Sequence, residues 1–182
     1  RPPRVSARVD AVLGDPFAPR SFSLIAIHKH GLRHEFAQEA IDEAHRVSKQ
    51  PLGEREDLTH LPIVAIDPAD ARDHDDAIWA APDDDPDNAG GWKAIVAIAD
   101  VSFYVRPGSE LDREARARGN SVYFPDRVLP MLPEELSADT CSLKAGQVRA
   151  AMACHLRIAK DGTLKSWRFT RAKICVVANI AY

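Results

Sequence analysis

Five aspartates, Asp67, Asp70, Asp73, Asp75 and Asp76, fall within the ten residues "DPADARDHDD", between the apolar runs "LPIVAI" and "AIWA". Like charges that close repel. At an effective dielectric of about 20 and a separation of about 5 Å, each pair costs about 3 kcal/mol. Water, protonation, arginines or a cation must offset that cost. Carboxylate oxygens suit hard divalent cations, and Mg2+ completes its shell with waters and substrate phosphates. If the two flanking runs are neighbouring strands, the loop gathers Asp67, Asp73, Asp75 and Asp76 at one rim of a sheet. That set points to Mg2+, with Mn2+ as a substitute, and to cleavage of a phosphodiester in a polyanionic substrate.

A solvated acidic loop is the plain alternative. A calcium loop fits worse: the EF-hand needs Gly at position six and Glu at twelve, and counted from Asp67 those places hold Arg72 and Ile78. "DHDD" also satisfies the DxDD pattern of some terpene cyclases, but those sites are helical and this one lies between strands.

The elements that must position the loop follow from periodicity and punctuation. "LPIVAI" reads as a strand buried on both faces and ending at Asp67. "AIWA" resumes as a second strand, and Trp92–Ala99, "WKAIVAIA", is a third, closed by Asp100. "APDDDPDNAGG" between them reads as a solvated turn. Ser109 and Asp112 give "ELDREARARG" a capping-box-like start, and Gly119 gives it a C-cap. "NSVYFPDRVLPMLPEELS" reads as a Pro-punctuated loop with a helical turn near Glu134–Leu136. "AAMACHLRIA", the turn "KDG" and "LKSWRFTRAKICVV" make a hairpin.

Upstream, "VSARVDAVLG" alternates as a strand and "FSLIAI" is a second short apolar run. Phe36, Ala40, Ile41, Ala44 and Val47 then recur at helical spacing. The polar connector "SKQPLGERED" marks a domain boundary. Irregular alternation of strands and helices gives a mixed α/β class, a mixed sheet with covering helices.

Composition narrows the setting. A net charge of −3 argues against a module that holds duplex nucleic acid by charge alone, though not against metal-mediated contact with phosphates. The three cysteines, Cys141, Cys154 and Cys175, form no CxxC pair and read as buried free thiols in a reducing cytoplasm. No apolar stretch approaches the roughly 20 residues of a membrane span. Both ends read as cut from a longer chain.

"IDPADARDHDDAIWA", followed by "WKAIVAIADVSFYVRPGSELDREARARGNSVYFPDRVLPMLPEELSADTCSL", resembles the RNB catalytic domain of the RNase II/RNase R family, nearer its RNase R branch. The similarity runs from about Leu61 to Tyr182. The stretches "VDAVLGDP" and "AIHKHGLRHEF" resemble the family's passage out of its second cold-shock (OB-fold) domain. The resemblance implies residues 1–25 as the end of an OB-fold, 26–60 as a helical linker and 61–182 as the N-terminal part of the RNB domain.

It further implies processive 3′-to-5′ hydrolysis of single-stranded RNA, or of RNA with a 3′ overhang, to nucleoside 5′-monophosphates. The implied mechanism uses divalent metal, in the two-metal manner, in a monomeric parent enzyme. Carried over by position, Asp67, Asp73, Asp75 and Asp76 match the four family aspartates. Asp67 and Asp76 are then direct ligands, and Asp75 serves the cleavage step as a ligand or by orienting water. Asp70 has no counterpart, and His74 reads as a spacer.

Tyr123 matches a tyrosine that fixes the 3′-terminal nucleotide, and Tyr182 one that stacks on a base near it. Arg113, Arg116, Arg118 and Arg127 lie near Tyr123 in sequence and are candidates to meet phosphates, with a solvated helix face the equal alternative for the first three. Segments beyond Tyr182 supply the family's phosphate-binding arginine and a further acidic residue, so the 182 residues alone are expected to be inactive. The competing reading is an RNA-binding relative that has lost catalysis. Intact aspartates separate the two.

Overall fold

The computed structural model describes residues 7–9, 11–15 and 17–182. Nine strands and four α-helices occupy them: α1 (Pro19–Lys29), α2 (Gln38–Val47), β1 (Glu56–Asp57), β2 (Val64–Asp67), β3 (Asp76–Pro82), β4 (Trp92–Ala99), α3 (Val101–Tyr104), α4 (Glu110–Arg118), β5 (Val122–Phe124), β6 (Arg127–Leu129), β7 (Val148–Ile158), β8 (Leu164–Cys175) and β9 (Ala178–Ala181). Seven strands form one mixed sheet in the order β1-β8-β7-β4-β3-β2-β9, and β5-β6 is a separate hairpin. The mixed α/β architecture is the one the sequence implies.

Local signals account for the best-read elements. The side chain of Ser109 accepts from the Asp112 N–H at 3.2 Å, and Asp112 accepts from the Gly108 N–H at 2.8 Å, which closes the start of α4. Gly119, at φ 80°, ends it in a conformation that only glycine adopts freely. The β7–β8 hairpin pairs from Val148↔Cys175 to Ile158↔Leu164 and forms the spine of the sheet.

The apolar run "FSLIAI" lies within helix α1, which Pro19 opens at its first turn. One expectation here needs correction. The Pro-punctuated loop contains the β5–β6 hairpin, turning at Pro125 and Asp126. The turn after β3 is solvated as expected, with Asp84, Asp87 and Gly90 exposed, and a polar network braces it. Asn88, nearly fully buried, donates to Asp83 and to the Ile158 carbonyl, while Arg157 meets Asp83 at 2.9 Å and Asp85 at 2.7 Å. The Asn88 hydrogen bond above all, with the Asp85 N–H and Arg157, pulls the Asp83 carboxyl down to about 2. The strand expected over "VSARVDAVLG" falls partly outside the described residues, and the described part has no regular structure.

The three cysteines are free, but only Cys141 is buried, and that burial pushes its thiol up to about 12. Cys154 and Cys175 are half-buried.

The two faces of the sheet differ. Ala65, Ala77, Ala97, Ala151, Ala153, Ala172 and Ile174 are buried in one core together with Ala40, Ala44 and Val47 of α2 and Leu111 of α4. Small residues on the sheet let the helices approach closely. A buried ion pair fixes the incoming linker to this side: Arg55 meets Asp100 at 2.9 Å, and Ser102 donates to the same carboxylate. Burial raises the Asp100 pKa, but Ser102 and Arg55 outweigh it, and the carboxyl ends below its usual range.

The opposite face carries Ile66, Ile78, Ile98, Trp92, Trp167, Phe169 and Ile180, all exposed and placed together by the strand registers. β2 was expected to be buried on both faces. It is buried on one, where Ile63 and Ala65 have no exposure, while Ile66 on the other is 41% exposed. An apolar face of this extent is sticky. A preparation of these 182 residues alone should bind anilinonaphthalene sulfonate and self-associate as concentration rises. A monodisperse monomer by light scattering, with no dye binding, would contradict the open face.

Candidate metal centre and nucleic-acid interface

β2 and β3 are antiparallel neighbours, so the segment joining them returns to the rim it left. Asp67 is the last residue of β2, and Asp76 the first of β3. Ala99 N–H donates to the Asp75 carbonyl at 2.8 Å, which extends the β3–β4 ladder one residue into the loop. Ligand oxygens of Asp67, Asp75 and Asp76 lie within 4.8 Å of one another, close to the span of oxygens around one hard cation, about 4–5 Å. Burial, Asp76, and then Asp73 and Asp67 all raise the Asp75 pKa above the usual carboxylate range. The donor set is all carboxylate oxygen, which suits Mg2+ or Mn2+.

Asp73 stands outside that group of three. Its carboxylate accepts a hydrogen bond from the Tyr123 hydroxyl at 3.0 Å, and that bond, ahead of partial burial, raises the tyrosine pKa. Tyr123 remains 65% exposed, so a flat group has access to its ring.

Tyr182 reaches the same rim by a different route. β9 runs parallel to β2 with Ala181 opposite Asp67, and Tyr182 is the next residue, 86% exposed. Two aromatic side chains and a carboxylate cluster thus share one end of the sheet. Asp70 lies in the connecting loop and is not one of the three converging carboxylates.

A short hub ties these parts together. Ser142, only 1% exposed, donates from its hydroxyl to the Arg72 carbonyl at 2.9 Å and accepts from the His74 N–H at 3.2 Å. Leu143 N–H donates to the His74 carbonyl at 2.7 Å. Asn179 of β9 accepts from the Ala145 N–H and donates to the Leu143 carbonyl. One segment, residues 142–145, therefore holds both the acidic loop and the strand that carries Tyr182. His74 adds a side-chain bond, its Nδ1 lying 2.7 Å from Oδ2 of Asp67.

Sequence reasoning misses both Ser142 and His74. A serine in "TCSL" carries no spacing signal. The histidine does carry one, its place amid carboxylates, and the structure shows it to be more than a spacer.

The arginines near Tyr123 in sequence have internal partners. Arg113 pairs with Glu110, Arg116 with Asp112 and Arg127 with Asp126. Arg118 pairs with Glu114, donates to the Arg33 and Glu35 carbonyls, and covers the Phe36 ring at 3.6 Å. That makes Arg118 a structural strut.

Residues 55–182 match the family model described as RNB domain. The chain belongs to the RNB family. Among curated relatives, the RNB chain is 42% identical over 179 residues to ribonuclease R of Vibrio parahaemolyticus, covering 96% of this chain and 21% of that protein. The RNB chain thus spans about a fifth of the length of such relatives. Among solved structures it is similar to Mycoplasma genitalium RNase R in complex with double-stranded RNA, at TM-score 0.85 and 31% identity, over 93% of this chain and 30% of that one. A likeness to yeast Ssd1, a pseudonuclease, at TM-score 0.63 and 21% identity over 71% of this chain and 16% of that one, shows the shared fold alone. No described helix of the RNB chain is long and apolar enough to cross a membrane.

Ser142→Ala should leave the His74 N–H without its partner and cost about 1–3 kcal/mol. Urea unfolding checks the loss, and faster hydrogen exchange across residues 72–76 places it. Unchanged exchange there would mean that Ser142 does not hold the loop.

Proposed function

We propose that this chain is the metal-binding half of an exoribonuclease site that trims single-stranded RNA, or the 3′ overhang of a duplex, to nucleoside 5′-monophosphates. The observation that carries the reading is the convergence of Asp67, Asp75 and Asp76 within 4.8 Å at the sheet rim. Kinship with ribonuclease R supports it. So does the likeness to Mycoplasma RNase R, a protein solved in complex with RNA.

A divalent cation held there, Mg2+ or Mn2+ and in the two-metal manner a pair, supplies positive charge against the phosphodiester oxygens. The remaining work falls to this chain's own side chains. Asp67 and Asp76 terminate paired strands, so their carboxylates are placed by backbone ladders. Asp75, whose surroundings raise its proton affinity, orients the water that attacks phosphorus. Asp73 acts through Tyr123, holding its hydroxyl so that the exposed ring stands ready for the 3′-terminal nucleotide. Tyr182 offers a second stacking surface. Stacking tolerates any base and is worth about 1–3 kcal/mol for each, which suits an enzyme that moves along arbitrary RNA.

Donors for the phosphate lie outside this chain in our reading, and one such donor can matter by about 100- to 1,000-fold. The 182 residues alone are therefore inactive. Residues 1–25 are the tail of an OB-fold and 26–60 the linker, with α1 running across position 25. The parent enzyme is a monomer of the cytoplasm.

The alternative is a catalytically silent RNA-binding relative, and the shared fold of a pseudonuclease keeps it in view. The intact carboxylates favour catalysis, because a cluster that raises its own pKa destabilises a protein with no use for it.

In the full-length protein, Asp75→Asn should abolish hydrolysis of a 3′-labelled RNA and leave RNA affinity nearly unchanged. The sign of its stability effect also follows. A raised folded-state pKa means that the ionised form is disfavoured in the native state, so stability is lost as pH rises through that pKa. The metal-free Asn variant should therefore melt at or above the wild-type temperature at neutral pH. Near-normal turnover by the variant would overturn the assignment.

A further inference from the structure

His74 sits between Asp73 and Asp75, where a residue that only separates two carboxylates would serve. Its surroundings give it more to do. Its main chain is tied on both sides, the N–H to Ser142 Oγ and the carbonyl to Leu143 N–H, so the origin of the side chain is fixed. The ring then reaches back across the loop to Asp67, seven residues earlier, at 2.7 Å. Both side chains are largely covered, 15% exposed for His74 and 13% for Asp67, so water competes weakly for the bond.

Resting on the cation reading above, we propose that His74 is a positioning residue: its Nδ1–H fixes the rotation of the Asp67 carboxylate and so presets the ligand geometry of the metal centre. A carboxylate has a nearly free rotation about its last bond. Asp67 stands at a strand end, where its backbone is held but its carboxylate plane is not. A donor on one oxygen removes that freedom before any cation arrives, so less entropy is lost on binding. Hydrogen-bond partners that orient ligating side chains are typically worth about 10- to 100-fold in metal affinity. The phenyl ring of a phenylalanine would fill the same space without donating. Asparagine would place its Nδ2–H close to where Nδ1–H stands.

The experiment is a Mn2+ titration of the full-length protein without RNA, by electron paramagnetic resonance at one fixed pH. It compares wild type with His74→Phe, His74→Asn and Asp76→Asn. Wild type should bind clearly more tightly than Asp76→Asn. His74→Phe should lose about 10- to 100-fold in affinity, and His74→Asn should stay close to wild type. If His74→Phe fails to fold by circular dichroism, His74→Ala takes its place, removing the donor without adding volume.

Wild-type affinity in the Phe or Ala variant would overturn the inference while leaving the metal centre standing. So would an Asn variant as weak as Phe, because the donor would then not be what matters. Wild type binding no better than Asp76→Asn would overturn the metal centre itself.

Discussion

The mutual repulsion of Asp67, Asp75 and Asp76 is the constraint around which this structure is organised. Three carboxylates within 4.8 Å of one another would swing apart on a free loop. They stay together because each is tied to hydrogen-bonded backbone. Asp67 ends β2, which is paired on both sides, by β3 and by β9. Asp76 opens β3, and the Asp75 carbonyl accepts from Ala99. The second acidic run, Asp83–Asp85, shows the usual solution, in which Arg157 and Lys93 pair with the charges and Asn88 donates a hydrogen bond to Asp83. At the first run the charges facing Asp75 are other aspartates, and its pKa rises accordingly.

That frame also explains why the aromatic residues lie where they do. Tyr123 is carried on a small hairpin and anchored by its hydroxyl to Asp73. Tyr182 is carried by β9, whose Asn179 is bonded to the segment that grips the acidic loop through Ser142. Movement of that segment would disturb both the carboxylates and the stacking surface. The acidic loop and the strand that carries Tyr182 are thus tied to each other through residues 142–145.

Much of this is legible in the sequence where the signal is local. β4 begins at Trp92 and ends at Ala99, as its apolar run and Asp100 indicate. The caps of α4 and the β7–β8 hairpin follow from residues a few positions apart. A six-residue apolar run such as "FSLIAI" has no periodicity long enough to separate strand from helix, and Pro19 settles it as helix. Pro125 conceals a hairpin by resembling loop punctuation. The pairing of β9 with β2 joins residues more than a hundred positions apart, and no local pattern encodes it. Which face of the sheet is covered is equally hidden, because Ile66 and Ile63 look alike in sequence. Of the site, the three converging aspartates are readable from their spacing. The separate place of Asp73 and the part played by His74 depend on where side chains turn.

The most direct test of the account is an anomalous difference map from crystals of the full-length protein soaked in Mn2+. The account predicts a peak bounded by Asp67, Asp75 and Asp76, and none at Asp83 and Asp85, whose charge Arg157 already meets. No peak at the rim, or manganese at the Asp83–Asp85 turn in its place, would contradict it.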